Sequence, residues 1–207
     1  MNLPSRPSIR GIAIDSGGAV WATTANRDFN NLYNGAIQRF GDGQWRSLGT
    51  RGKETFRFNL TNSLTLDRNG ELWGATWGDG LFILDDHGTP DTGDDEAIEI
   101  DPDREVILPL PGFEDKDYVA FPYLTTDGDG NIWVAAFSGG IYVVECGLPL
   151  TDYKHRHFTF EASGVNHYII TVTPDPDGWV WAGTWETGLI ALHVGDDPYT
   201  VDGDYIT

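Results

Sequence analysis

The residues that most often announce chemistry are scarce in this chain. Among 207 residues there is one cysteine, Cys146, which excludes a disulfide framework and any cysteine-built zinc or haem site. One methionine and three lysines leave little material for long helices. No apolar run reaches the roughly 18 residues of a spanning helix, so no membrane insertion is expected. The opening Met-Asn-Leu-Pro-Ser-Arg-Pro has no apolar h-region, so no secretory signal is expected within this chain. Gly-x-Ser-x-Gly, Walker and dinucleotide-binding motifs do not occur, nor does a Cys-His pairing. Positive charge is scarce too: 13 Lys and Arg face 32 Asp and Glu, a net charge of −19. Such a field repels phosphate backbones, so nucleic acid is not an expected partner.

What is abundant points to turns and strands. There are 26 Gly, 8 Trp and 23 Asp against only 9 Glu. Asp and Gly belong to turns, whereas Glu, Lys and Met favour helix interiors. This is the composition of an all-β protein with an acidic surface.

The abundance is periodic. Trp21, Trp73, Trp133 and Trp181 each follow an aspartate by six residues (Asp15, Asp67, Asp127, Asp175) and a glycine by three (Gly18, Gly70, Gly130, Gly178). A small residue comes three positions after each Trp: Thr24, Thr76, Ala136, Thr184. Gly80-Leu81, Gly140-Ile141 and Gly188-Leu189 then stand seven residues after the last three Trp. In the first copy the matching Gly35-Ala36 is delayed by a seven-residue insertion. The unit is D-x2-G-x2-W-x2-[TA] followed by G-[LI], at a spacing near the length of a four-stranded blade.

Each copy reads as strands. Short β-branched runs, such as Gly11–Ile14, Ser63–Leu66, Tyr123–Thr126 and Ile170–Thr173, end at the Asp-x-x-Gly turn. A second strand surrounds the Trp, and a third begins at the later glycine. A more polar fourth is expected at Gln44–Leu48, Ala97–Ile100 and His157–Phe160. Four antiparallel strands per repeat predict a β-propeller of about four blades, over residues 8–57, 58–117, 118–165 and 166–207. The tail Gly203–Thr207 resembles the approach to the first strand of copy four. It is expected either to close a compact ring against blade one or to begin a fifth blade.

Asp67-Arg-Asn-Gly70-Glu-Leu-Trp73-Gly-Ala-Thr76-Trp77-Gly-Asp-Gly80-Leu81, and the matching run from Asp175 to Leu189, resemble the two-component-regulator propeller repeat. That resemblance covers nearly the whole chain. It implies a propeller of the kind found in periplasmic sensor regions and in cell-surface and secretion-associated proteins of bacteria, hence an extracytoplasmic location. Sensor propellers of this kind usually have more than four blades. Streptogramin-lyase-like propellers share a similar cadence.

In a propeller, the turns between strands two and three share one rim with the connections between blades. That assigns Trp77, Phe137 and Trp185, with Asn62, Tyr123, Asn166, His167 and Tyr168 from the connections, to a single rim, joined by the insertion Ala25–Asn34 with Asp28, Phe29 and Tyr33. Aromatic faces among Asn, Asp and His suit sugars or other small ligands; aromatics at these positions also wedge between neighbouring blades. From Asp85 to Asp117 there are 13 acids against Arg104 and Lys116. Within that stretch Asp85, Asp86, Asp91, Asp94 and Asp95 form a candidate Ca2+ loop, although the EF-hand spacing does not fit. His155 and His157 on one strand would hold a metal only with a third ligand. The expected function is a non-catalytic binding module for a small molecule, a glycan or a protein partner. Two alternatives stand beside it: a lyase acting on a polysaccharide or macrolactone through His167, and a structural unit that self-associates through exposed blade edges.

Overall fold

The structure is a computed structural model that describes residues 8–27, 33–47, 61–78, 80–85, 96–100, 119–137, 139–145, 154–160, 168–195, 197–200 and 205–206. Among these residues there is no helix, and so none long and apolar enough to cross a membrane. The strands form four antiparallel sheets in sequence order, the blades of a β-propeller. Blade one comprises β1 (Ser8–Ile14), β2 (Val20–Arg27), β3 (Tyr33–Gly41) and β4 (Gln44–Ser47). Blade two comprises β5 (Thr61–Leu66), β6 (Leu72–Gly78), β7 (Leu81–Asp85) and β8 (Glu96–Ile100). A short strand, β9 (Val119–Ala120), pairs with the end of β6. Blade three holds β10 (Tyr123–Thr126), β11 (Ile132–Ala136), β12 (Gly140–Val144) and β13 (His155–Phe158). Blade four holds β14 (Ile169–Pro174), β15 (Trp179–Thr184), β16 (Leu189–His193) and β17 (Tyr205–Ile206).

The repeat motif builds one local device four times. The turn aspartate accepts the amide of the residue four ahead through Oδ1, at 2.8–3.0 Å, in every copy. Its Oδ2 accepts the indole N–H of the blade tryptophan, at 3.3, 3.2, 2.9 and 2.9 Å in chain order. One carboxylate therefore closes the turn and orients the largest side chain of the blade. The turn glycines have φ of 84°, 88°, 82° and 80°, a region open to glycine at no steric cost. The motif's spacing follows from this geometry: the Asp must reach over its own turn to the second strand.

Successive blades pack face to face. The Trp side of one blade meets the first strand and second-strand flank of the next. Trp73, Leu81 and Ile83 bury against Phe121, Leu124, Ile132 and Tyr142, while Trp133, Ile141 and Val143 bury against Ile169, Val172, Val180 and Ile190. Volume is matched along the seam between blades one and two. Gly74 pairs with Phe82, and a Cβ on Gly74 would run into the Phe82 ring. Polar groups cross the next seam, between blades two and three: Ser63 Oγ donates to the Leu124 carbonyl at 3.0 Å, and the Thr65 and Thr126 hydroxyls meet at 3.2 Å. A blade flanked on both sides is buried on both faces, as all five residues of β11 and of β12 are.

Two expectations are corrected. The insertion in blade one does not emerge wholly as a loop: β2 and β3 lengthen into it, pairing Ala25 with Gly35, Asn26 with Asn34 and Arg27 with Tyr33. The tail neither closes a ring nor begins a fifth blade. β17 pairs with β16, Leu192 opposite Ile206 and His193 opposite Tyr205, so it is the outer strand of blade four. The free edge of β16 is the nearest row of unpaired backbone groups, and the tail satisfies it. The first strands β1, β5, β10 and β14 contact one another in succession, whereas no comparable contact joins β14 to β1 among the described residues. The four blades form an open arc.

Candidate functional site

The aromatic rim is assembled by the turns between second and third strands. Thr76 closes the turn of blade two by donating its amide and hydroxyl to the Gly80 carbonyl, at 3.0 and 2.7 Å. Thr184 does the same with Gly188 in blade four, at 2.9 Å for both bonds. In blade three the turn is closed instead by the Gly139 amide donating to the Ala136 carbonyl at 3.1 Å, and the next residue in each blade, Trp77, Phe137 or Trp185, stands at the rim. The preceding inter-blade connection is tied to it: the Phe137 amide donates to Ala120 O at 3.0 Å, and the Trp185 amide to Tyr168 O at 2.9 Å.

Four of these rings form one strip across three blades. Trp77 and Phe137 lie 4.9 Å apart, centroid to centroid, tilted at 54°. Phe137 stacks on Tyr168 at 4.7 Å and 22°. It also meets the edge of Trp185 at 6.3 Å and 84°. Trp185 is 64% exposed, while Trp77, Phe137 and Tyr168 are half-buried. Phe137 is the hub, touching a ring on the blade before it and two on the blade after. The strip is an apolar ledge with a protruding indole at one end. It can offer flat π-faces to a ligand, and the Tyr168 hydroxyl is its one polar side-chain group besides the indole N–H groups.

The other candidates fall differently. Tyr123 opens β10 on the same rim and is 36% exposed, but no ring contact joins it to the strip among the described residues. Tyr33 begins β3, opposite Arg27. Asp28, Phe29 and His167 lie outside the described residues. So do Asp86, Asp91, Asp94 and Asp95; Asp85 ends β7, paired with Glu96. Among the described residues no three His, Cys, Asp or Glu side chains gather to hold a metal. His157 stacks flat on Tyr142 at 4.0 Å, and its Nε2 meets the Gly139 carbonyl. That packing occupies one of the two imidazoles considered as a ligand pair. Burial pushes the Tyr142 hydroxyl above its usual range, since ionising it there would place a charge among apolar neighbours.

Tyr168, expected on the rim from its inter-blade connection, belongs to the strip through its position immediately before β14. A concavity of about 420 Å³ opens on the opposite rim between blades three and four. Asp129, Trp133, Pro176, Trp179 and Pro198 line it together with the turn aspartates Asp127 and Asp175. Both turn carboxylates are already engaged by indole and amide groups. The Trp181 indole, with help from the Trp179 and Asp177 amides and His193, holds the Asp175 carboxyl below its ordinary range.

Comparison with known proteins identifies the architecture. No family model matches the chain, and no curated protein matches it. Solved structures do. The extracellular domain of a hybrid two-component system from B. thetaiotaomicron is similar with a TM-score of 0.64 at 15% identity, covering 100% of this chain and 22% of that one. PorZ, a surface component of the type-IX secretion system of Porphyromonas gingivalis, is similar at 0.62 and 18%, covering 98% of this chain and 28% of its own. A gluconolactonase from Xanthomonas campestris is similar at 0.54 and 16%, covering 90% and 59%. The chain thus spans only about a quarter of the first two structures it resembles. At these identities the likeness is one of fold, and that fold is the β-propeller.

Proposed function

We propose that this chain is a non-catalytic, extracytoplasmic binding propeller whose aromatic rim takes a ligand with flat faces, best met by the pyranose rings of a glycan. The observation that carries the reading is the unbroken contact of Trp77, Phe137, Tyr168 and Trp185 across three blades. Sugar rings present C–H faces that stack on indole and phenyl groups, and the hydroxyls at their edges reach polar groups around a ledge. The extracytoplasmic location is supported by the likeness to an extracellular domain and a bacterial surface component.

A glycan array probed with the purified chain tests this, followed by titration of the best oligosaccharide against Trp185→Ala. Trp185 is exposed, so its truncation should leave the melting temperature nearly unchanged. Affinity should fall about tenfold, matching the loss of roughly one stacking contact. Absence of any glycan binding, or equal affinity in the variant, would contradict the reading.

A further inference from the structure

At the rim of the Asp-x-x-Gly turns, the seams between blades are filled unevenly. The residue after each turn aspartate is Ser16, Arg68, Gly128 or Pro176. Between blades two and three, Arg68 leans onto the next turn: a Cβ on Gly130 would come within 2.8 Å of the Arg68 Cβ. One seam further on, that place falls to Gly128, and a Cβ there would meet nothing within 4 Å. Gly178, the counterpart of Gly130, faces the Gly195 carbonyl of its own blade instead. The cleft of about 420 Å³ opens at this spot. Its size falls among the roughly 300–1,000 Å³ of ligand pockets. Two consecutive blades wall it, so it lies on neither end of the arc.

Its lining combines two kinds of chemistry. Trp133, Val180 and Val194 belong to the core between the two blades and give it an apolar floor. Asp127, Asp129 and Asp175 bring three carboxylates, and among the described residues no Lys or Arg lines it. The hydrogen bonds that Asp127 and Asp175 accept come from neutral indole and amide groups, so the charge stays in place. Asp129 is exposed; its amide donates to Asp127, while its carboxylate accepts no hydrogen bond among the described residues. Methylenes to cover an apolar floor and a planar cation to meet carboxylates are combined in one side chain, arginine. One seam earlier the molecule already seats an arginine at this position.

We propose that the cleft between blades three and four receives an arginine side chain carried by a peptide segment of a partner. Its methylenes lie over Trp133, Val180 and Val194, and its guanidinium pairs with the Asp129 carboxylate. The aromatic strip lies on the opposite rim and takes no part.

Titration of the isotope-labelled chain with acetyl-Gly-Arg-Gly-amide, followed at the tryptophan indole resonances, tests this. The Trp133 signal is expected to move saturably while those of Trp21 and Trp73 stay in place. The same peptide with citrulline, which keeps the shape and loses the charge, should bind about tenfold more weakly. Free arginine should also bind more weakly, because its own carboxylate faces the three acids. Gly128→Arg fills the cleft from within, as Arg68 does in its own seam, and should abolish the response. Ser16→Arg adds the same charge at the matching turn of blade one and should leave the response intact. Asp129→Asn installs the residue that blade two carries there as Asn69, so the turn tolerates it, and affinity should fall about tenfold. An unmoved Trp133 signal, equal affinity for the citrulline peptide or for free arginine, binding undiminished in Gly128→Arg or Asp129→Asn, or a loss as great in Ser16→Arg would overturn the proposal.

Discussion

The turn aspartates show how much a single side chain decides. Asp67 is 7% exposed and accepts two backbone amides and the Trp73 indole. Replacing it with Ala leaves those donors facing a space that water reaches poorly. Each strands a buried polar group, and we expect a loss of about 2–4 kcal/mol in a urea unfolding titration. Asp175→Ala, at the solvent-facing end of the arc, should cost clearly less. The Asp175 carboxyl is held below the ordinary 3.8 by its partners. Its contribution is therefore present above that value and is lost as pH falls through the lower, folded-state value. Urea midpoints measured from about pH 5 to about pH 2 should fall less steeply in Asp175→Asn than in the parent. A parallel decline would show that Asp175 carries none of the acid sensitivity.

At the level of strands and turns, most of the architecture is legible because the repeat is a physical device with fixed reach. Asp, Gly and Trp must stand six and three residues apart for one carboxylate to span a turn and meet an indole, so the sequence displays the blade directly. The rim positions of Trp77, Phe137 and Trp185 follow from the same register. Their mutual contact does not, since ring distances depend on how blades cross. Tyr168 is placed on the rim by its inter-blade connection, but its stacking on Phe137 is not legible in the sequence for the same reason. The tail and the insertion mislead because edge pairing, not local pattern, decides them. Gly74 is a case where pattern hides a packing requirement. Its place on β6 matches Ala22, Val134 and Ala182, yet only glycine leaves room for the Phe82 ring. Gly74→Ala should destabilise by about 1–3 kcal/mol through overpacking, and Phe82→Leu in the same chain should recover part of that loss. Thermal melts of the single and double variants decide it, and additive losses would contradict the account.

On the scale of the whole molecule, the four blades share one building rule but not one environment. Blades two and three are sealed by neighbours on both sides, while blades one and four each turn an apolar face outward. The rim strip runs across blades two to four and ends on Trp185, the exposed member. The opposite rim carries turns whose carboxylates are spent on holding tryptophans. The two rims thus differ in kind: structural turns on one and, on the other, the aromatic strip that the proposed function assigns to a ligand. Hydrogen exchange of the chain, with and without its best array-selected oligosaccharide, tests this most directly. The account predicts slowed exchange at the amides of Trp77, Phe137 and Trp185 and no change at the turns around Asp127 and Asp175. Protection confined to those turns, or protection nowhere, would contradict it.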